Sequence, residues 1–192
     1  MTLIHTPNYG RSTGLRVTVS SKAATALIST ADMKAFARVD ASYTGDDTLI
    51  DTLVDEVTEL AQEYTQRSFI NRTLIAEWDS VRGDGIILPY GQVQSITTVE
   101  TIDTTGAATA LTSDDYEFIN GKIYIHTHYG LRVTYVSGYG ATVADVPAAI
   151  KLAVKKAVLD QYDNRENQVV GDNVDTLSSD TFFILNRYIN YE

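Results

Sequence analysis

The chain has 192 residues, enough for a buried core in one domain, or in one domain with a small subdomain. Apolar residues make up 44% and charged residues 21%, which excludes a wholly disordered chain. The 15 Lys and Arg against 25 Asp and Glu leave a formal net charge of −10, which argues against a general nucleic-acid binder, and the absence of cysteine excludes disulfides, thiolate metal sites and a Cys nucleophile.

No apolar stretch approaches the ~18 residues of a membrane span. The first residues, Met1 to Asn8, carry neither a basic n-region nor an apolar h-region, so a cytoplasmic chain without a signal peptide is expected. Three of the 15 basic residues (Arg11, Arg16, Lys22) and none of the 25 acids precede Asp32. Residues 1–30 therefore read as a basic N-terminal arm with a short strand from Leu15 to Val19. The arm is either a plain terminus or a segment that docks on an acidic neighbour, another copy of this chain included.

Ser29 or Thr30 caps a short helix over Ala31 to Val39, with Met33, Phe36 and Ala37 inward. After a loop at Asp40 to Gly45, the clearest helix runs from about Asp46 to Gln66. Leu49, Ile50, Leu53, Val54, Val57, Leu60, Ala61 and Tyr64 form one stripe at a 3.6-residue period. Asp46 and Asp47 sit where the helix dipole favours negative charge. Asp51, Asp55, Glu56, Glu59 and Glu63 fall on the outer faces.

From Asn71 to Gly140 the composition turns to Thr, Val, Ile and Tyr with Gly at the breaks, which predicts an antiparallel β subdomain of five or six strands. Leu74, Ala76 and Trp78 alternate along one strand. Further strands are predicted at Ile86 to Leu88, Val93 to Ile102 and Leu131 to Val136. Tyr116 to Ile125 reads as a hairpin in which Asn120-Gly121 supplies the two positive-φ residues of a type I′ turn. Pro147 opens a helix that runs to about Arg165, with Ile150, Val154, Ala157, Val158 and Gln161 or Tyr162 on one face. Asn167 to Ser179 reads as a polar loop. Behind it Phe182, Phe183, Ile184, Leu185, Tyr188, Ile189 and Tyr191 crowd into ten residues. This segment either folds back on the chain's own core or docks on another protein, where aromatics and an Arg dominate binding hot spots.

Few residues suggest chemistry. There is no phosphate-binding Gly loop and no His-Glu-x-x-His helix. Gly138-Tyr-Gly140 lacks a following Lys and reads as a turn. His126 and His128, two apart on a strand, share a face with Tyr124, but two imidazoles fall short of the three protein ligands a catalytic zinc centre needs. Asp46 with Asp47, and Asp114 with Asp115, are adjacent pairs whose side chains diverge, so dipole and turn roles suit them better than catalysis. Ser20-Ser21-Lys22 has no oxyanion hole in view. Lys151, Lys155 and Lys156 form a basic patch on the Pro147 helix. It is either a solvated face or a contact with acids of a neighbouring subunit.

Several segments recur in a familiar order. A short helix leads into Phe36-Ala-Arg-Val-Asp40, and Asp46-Asp-Thr-Leu-Ile50 starts a long helix ending Glu63-Tyr-Thr-Gln-Arg67. Ile87-Leu-Pro89 precedes Val93-Gln-Ser-Ile-Thr97. Val133-Thr-Tyr-Val-Ser-Gly-Tyr139 runs into Val146-Pro-Ala-Ala-Ile150, the next helix ends Asp160-Gln-Tyr-Asp-Asn-Arg165, and Ile184-Leu-Asn-Arg-Tyr188 closes the chain. In this order the chain resembles the head–tail connector (adaptor) proteins of long-tailed double-stranded DNA bacteriophages over roughly residues 30 to 190. Residues 1–30 lie outside the pattern, and Asn186 stands where that family often has proline.

The resemblance implies an α+β fold. A helical bundle core is built on the long helices at about 46–66 and 147–165, with an inserted antiparallel β subdomain at about 71–140 and an extended C-terminal tail. It divides the chain into the arm (1–30), a connector domain (31–167) and a docking tail (168–192). It implies a structural neck protein and no enzyme, with no cofactor or metal. Such proteins form a ring, commonly of about twelve copies, beneath the portal protein, and offer a surface to the next neck or tail-terminator protein. Genomic DNA passes through the channel without specific binding, no membrane is involved, and the ring belongs to a virion neck assembled in the host cytoplasm. Ile184, Leu185, Arg187 and Tyr188 become portal-docking candidates by the resemblance, and Phe182 and Phe183 by their aromatic character. Arg11, Arg16, Lys151, Lys155 and Lys156 are candidates for the subunit interface, set against the acids of the Asp46 helix. The alternatives are another ring-forming neck or tail protein, of the tail-terminator or completion type, and a small enzyme with His126 and His128 as metal ligands.

Overall fold

A computed structural model of the chain describes residues 3–4, 14–81, 85–125, 130–164 and 179–190. The fold is mixed α+β, with a core of several helices, an inserted antiparallel β region and, among the described residues, no closed barrel. The chain divides into a β unit (Met1–Ala23, Gln66–Ala141, Asn190–Glu192) and a helical unit (Ala24–Thr65, Thr142–Ile189).

Among the described residues the β unit holds nine strands: β1 (Leu3–Ile4), β2 (Arg16–Ser21), β3 (Arg72–Trp78), β4 (Ile86–Ile87), β5 (Val93–Ile102), β6 (Ala108–Ala110), β7 (Tyr116–Ile119), β8 (Lys122–Ile125) and β9 (Gly130–Ser137). Six make one antiparallel sheet in the order β1-β2-β3-β9-β5-β6, and three make a second in the order β4-β8-β7. The strand expected at Leu15 to Val19 is β2, and it pairs along β3. Six of the seven strands between Arg72 and Ser137 follow the predicted runs. The seventh, β6, is exposed at all three residues, so no alternation marks it.

Alternation decides the core. Leu74, Ala76 and Trp78 of β3 face Tyr135, Val133 and Leu131 of β9 in register, and all six are buried. Ile123 and Ile125 of β8, with Ile86 and Leu88, bring the second sheet into the same core. Several of the polar groups drawn inside are paired, which offsets the cost of burying them. The Tyr135 hydroxyl donates to the Pro89 carbonyl at 2.8 Å, and the Ser137 hydroxyl to the Tyr90 carbonyl at 2.8 Å. Buried Arg72 donates from Nε to the Ser68 hydroxyl at 2.9 Å and lays its guanidinium 4.9 Å from the Tyr90 ring centroid, a cation–π arrangement. Across the middle of the large sheet Arg132 donates to Glu77 at 2.5 Å and lies 3.5 Å from Glu100. The Glu77 hydrogen bond is the main reason the Arg132 pKa is raised.

The helical unit contains α1 (Thr30–Ala37), α2 (Asp47–Thr65), α3 (Ala148–Asp163) and α4 (Ser179–Leu185), the last followed by a 3₁₀ turn at Asn186–Tyr188. Ser29 is the N-cap of α1, its hydroxyl accepting from the Asp32 N–H at 3.1 Å. The inner face of α1 is Met33 with Lys34, while Phe36 and Ala37 are half-buried. Buried Lys34 forms an ion pair with Asp47 at the start of α2, and the Thr30 hydroxyl donates to Asp51 at 2.5 Å. The predicted stripe of α2 is inward at Ile50, Val54, Val57 and Ala61 and half-buried at Leu49, Leu53, Leu60 and Tyr64. Pro147 stands at the N-cap of α3, one residue before the first helical turn, and Ile150, Ala153, Val154, Ala157 and Val158 are buried.

The C-terminal segment differs from the extended tail expected of it, being helical from Ser179 to Leu185. Phe182 and Leu185 are three residues apart, so a helix turns both to one side, where an extended chain would point them to opposite sides.

Candidate functional site

The candidate docking segment is built on α4 and its 3₁₀ turn. Thr181 and Leu185 are buried, and Leu185 is wholly so. The Phe182 ring meets the Tyr64 ring edge to face, centroids 5.0 Å apart and planes at 65°. The Tyr64 hydroxyl then donates to the Asn186 side-chain carbonyl. One residue of α2 thus contacts both α4 and the 3₁₀ turn that follows it. Phe183 projects outward and is 73% exposed, more than any other large apolar side chain among the described residues. Arg187 is exposed, and Ile184 and Tyr188 are half-buried. Of the six portal-docking candidates, Phe182 and Leu185 are therefore committed to the chain's own helices, while Phe183 and Arg187 face outward.

The lysine patch lies on α3. Lys151 donates from Nζ to the Val143 carbonyl at 3.0 Å, which steadies the 3₁₀ turn (Val143–Asp145) before the helix. The Lys155 ammonium lies 6.0 Å from the Phe36 ring centroid. All three lysines are half-buried, and between them Leu152 is exposed. Arg16 pairs with Asp79 at 3.0 Å, with both side chains more than half exposed. Arg11, His126 and His128 lie outside the described residues. Among the described residues, no group of three His, Cys, Asp or Glu is placed to hold a metal ion.

Periodicity alone did not single out the outer face of the β7–β8 hairpin. The turn has the predicted geometry, with φ of 51° at Asn120 and 78° at Gly121. Ile123 and Ile125 point to the core. On the other face Ile119, opposite Lys122, is 49% exposed, and Tyr124, opposite Glu117, is 39% exposed. Apolar residues on both faces of a hairpin are the signal that could have marked it. Beside the tip lies an open cleft of about 760 Å³, lined by Arg67, Gln92, Phe118, Asn120 and Asn190 among others. Amides and one guanidinium can bind, but they supply no general acid–base pair or nucleophile.

The family model for head completion proteins (HCP) matches residues 26–183. The chain belongs to the head completion protein family. In this family member the matched span runs from just before α1 to Phe183, so it takes in three whole helices and both sheets from β3 onward.

Solved structures agree in fold. A chain in the neck of an empty gene transfer agent (GTA) particle, computed with C6 symmetry, is similar at a TM-score of 0.76 and 15% identity, covering 92% of this chain and 96% of that one. A chain in the virion of a native GTA particle gives 0.75 and 14%, with 92% and 96% covered. A chain in the neck of a native GTA particle, computed with C12 symmetry, gives 0.58 and 16%, with 90% and 96% covered. No protein with a curated description matches the chain.

Proposed function

We propose that this head completion protein is a non-catalytic neck component of a tailed-phage-like particle. It forms a ring under the portal protein, joins capsid to tail and extends the DNA channel. Family membership across residues 26–183 carries the reading. The likeness to chains in GTA necks computed with C6 and C12 symmetry supports a ring, and a dodecamer satisfies both symmetries. The protein is a head–tail connector (adaptor) within its family, located in the virion neck after assembly in the host cytoplasm. The next neck or tail-terminator protein binds its far side.

Residues 1–30 act as a basic arm, 31–167 as the connector domain and 168–192 as the portal-docking tail. Phe183 and Arg187 make the first portal contacts, and Phe182, Ile184, Leu185 and Tyr188 complete the docking segment. Arg11, Arg16, Lys151, Lys155 and Lys156 meet acidic surfaces of neighbouring copies. Twelve copies at −10 each carry roughly −120, so assembly requires such pairing, and an acidic channel repels the phosphate backbone rather than holding it.

The test is solution mass by light scattering, alone and with portal protein. The intact chain joins portal as a ring. A chain lacking residues 180–192 fails to join, as does a folded Phe183→Ser/Arg187→Glu chain, which leaves Leu185 in place. A chain that ignores portal in every form would overturn the reading.

A further inference from the structure

We infer that the ring interface seats the outer face of α3 of one copy on the outer face of the β7–β8 hairpin of the next. The inference rests on the ring reading above and names the two surfaces that meet.

The first surface is an apolar spot with a basic rim around the middle of α3, and exposed Asp160 and Asp163 lie beyond it at the C-terminal end of the helix. The buried stripe of α3 is Ile150, Ala153, Val154, Ala157 and Val158. Leu152 lies about 200° around the helix from Ile150, and Lys155, Lys156 and Leu159 fall within about 60° of it. Leu152 is 42% exposed, and the other three are half-buried. A helix with leucines on its outward face keeps apolar surface in water unless something covers it.

The second surface is an apolar spot with an acidic rim. Ile119 and Tyr124 are exposed, and Asp114, Asp115 and Glu117 are exposed beside them, against one base, half-buried Lys122. Strand β7 is the outer strand of its sheet, paired with β8 alone among the described residues. An apolar edge strand left open is an aggregation hazard, and a covering helix removes it.

These surfaces complement each other in charge and in apolar content, and one chain carries both. The partner is therefore a second copy. The two halves differ, so the contact is head to tail, the type that closes into rings. The acidic face of α2 fits less well. Asp51, Asp55 and Glu56 are exposed there, but no large apolar side chain of α2 is, so docking lysines on it would desolvate charge without burying an apolar centre.

The chain has no cysteine, so paired substitutions report the contact directly. Ile119→Cys and Leu152→Cys are made on separate chains and together on one chain, at exposed positions that leave the core intact. Oxidation is carried out under the condition, alone or with portal, in which light scattering shows the unsubstituted chain assembled. The expected result is a mixed 119–152 dimer from the two single variants together, no dimer from either alone, and a ladder of covalent oligomers from the double variant. Lys155→Glu/Lys156→Glu should raise the concentration for half-assembly about tenfold, and adding Asp114→Lys/Glu117→Lys should restore it.

An assembled ring with no 119–152 bond, with only 119–119 or 152–152 bonds, or with the thiol at position 119 bonding only to portal or a tail protein would overturn this interface while leaving the ring standing. A chain that stays monomeric alone and with portal overturns the ring reading and this inference together.

Discussion

Phe183 and Leu185 sit two residues apart and do opposite things. Leu185 is fully buried, so Leu185→Ala should cost about 2–5 kcal/mol, the lost transfer energy plus the cavity left behind. Phe183 is 73% exposed, so Phe183→Ser should stay within about 0.5 kcal/mol of the unsubstituted chain. Urea unfolding of both variants checks the contrast, and comparable losses would mean that Phe183 is packed after all. Composition alone could not separate them, because both belong to one apolar cluster until a helix assigns faces. Gly138 shows the same limit. It reads as a strand breaker, and it does follow β9. What demands glycine there is a φ of 155° together with closeness, since a Cβ would lie 2.6 Å from the Asn71 backbone nitrogen. Gly138→Ala should therefore destabilise by about 1–3 kcal/mol in the same assay.

At the scale of elements, the turns carry a pH signature. Asp103 accepts from the Thr105 hydroxyl at 2.7 Å and from the Thr105 and Ala107 N–H groups at 2.8 and 2.9 Å. Asp115 and Asp145 close their turns on Thr112 and Thr142 in the same way. Hydrogen bonds to the ionised form, led by the Thr105 and Thr112 hydroxyls and, for Asp145, by the Thr142 N–H, hold all three below the ordinary carboxylate value. Each binds its proton more weakly folded than unfolded, so its contribution is complete above about pH 4 and lost as pH falls through the folded values. The thermal midpoint of an Asp103→Asn/Asp115→Asn/Asp145→Asn chain should fall less between pH 5 and pH 3 than that of the unsubstituted chain. An identical acid fall would show that the turns contribute nothing. Elements with a strong local signal were legible in advance. The stripe of α2 and the Asn120-Gly121 turn are both written in neighbouring residues. Strand β6 has no such signal, and the helix at α4 required knowing that Phe182 and Leu185 share a seat.

For the whole molecule, the balance of charge sets how assembly responds to salt. Copies at −10 repel one another at long range, while the proposed interfaces attract at short range. Added salt should therefore speed the encounter of unsubstituted chains and, beyond the physiological range, loosen the assembled ring. In Lys155→Glu/Lys156→Glu the charge attraction of these lysines is lost while the apolar contact and the repulsion remain, so salt should help its assembly throughout. Light scattering across a salt series distinguishes the two, and parallel curves would remove these lysines from the interface.

The sequence by itself determined most of the helices and strands, β6 and α4 excepted, the apolar face of those it marked, and the absence of thiol chemistry. It also showed the charge asymmetry between the first residues and the rest, and the order of segments that marks the family. These are properties of neighbouring residues and of composition. Only the tertiary structure decided that β9 lies between β3 and β5, that the Arg16 strand joins the large sheet beside β3, that Lys34 is buried against Asp47, and that Tyr64 holds the C-terminal helix. Periodicity tells a side chain that it must be covered; what covers it comes from residues far along the chain, and pairing at that range is settled only when the whole fold closes.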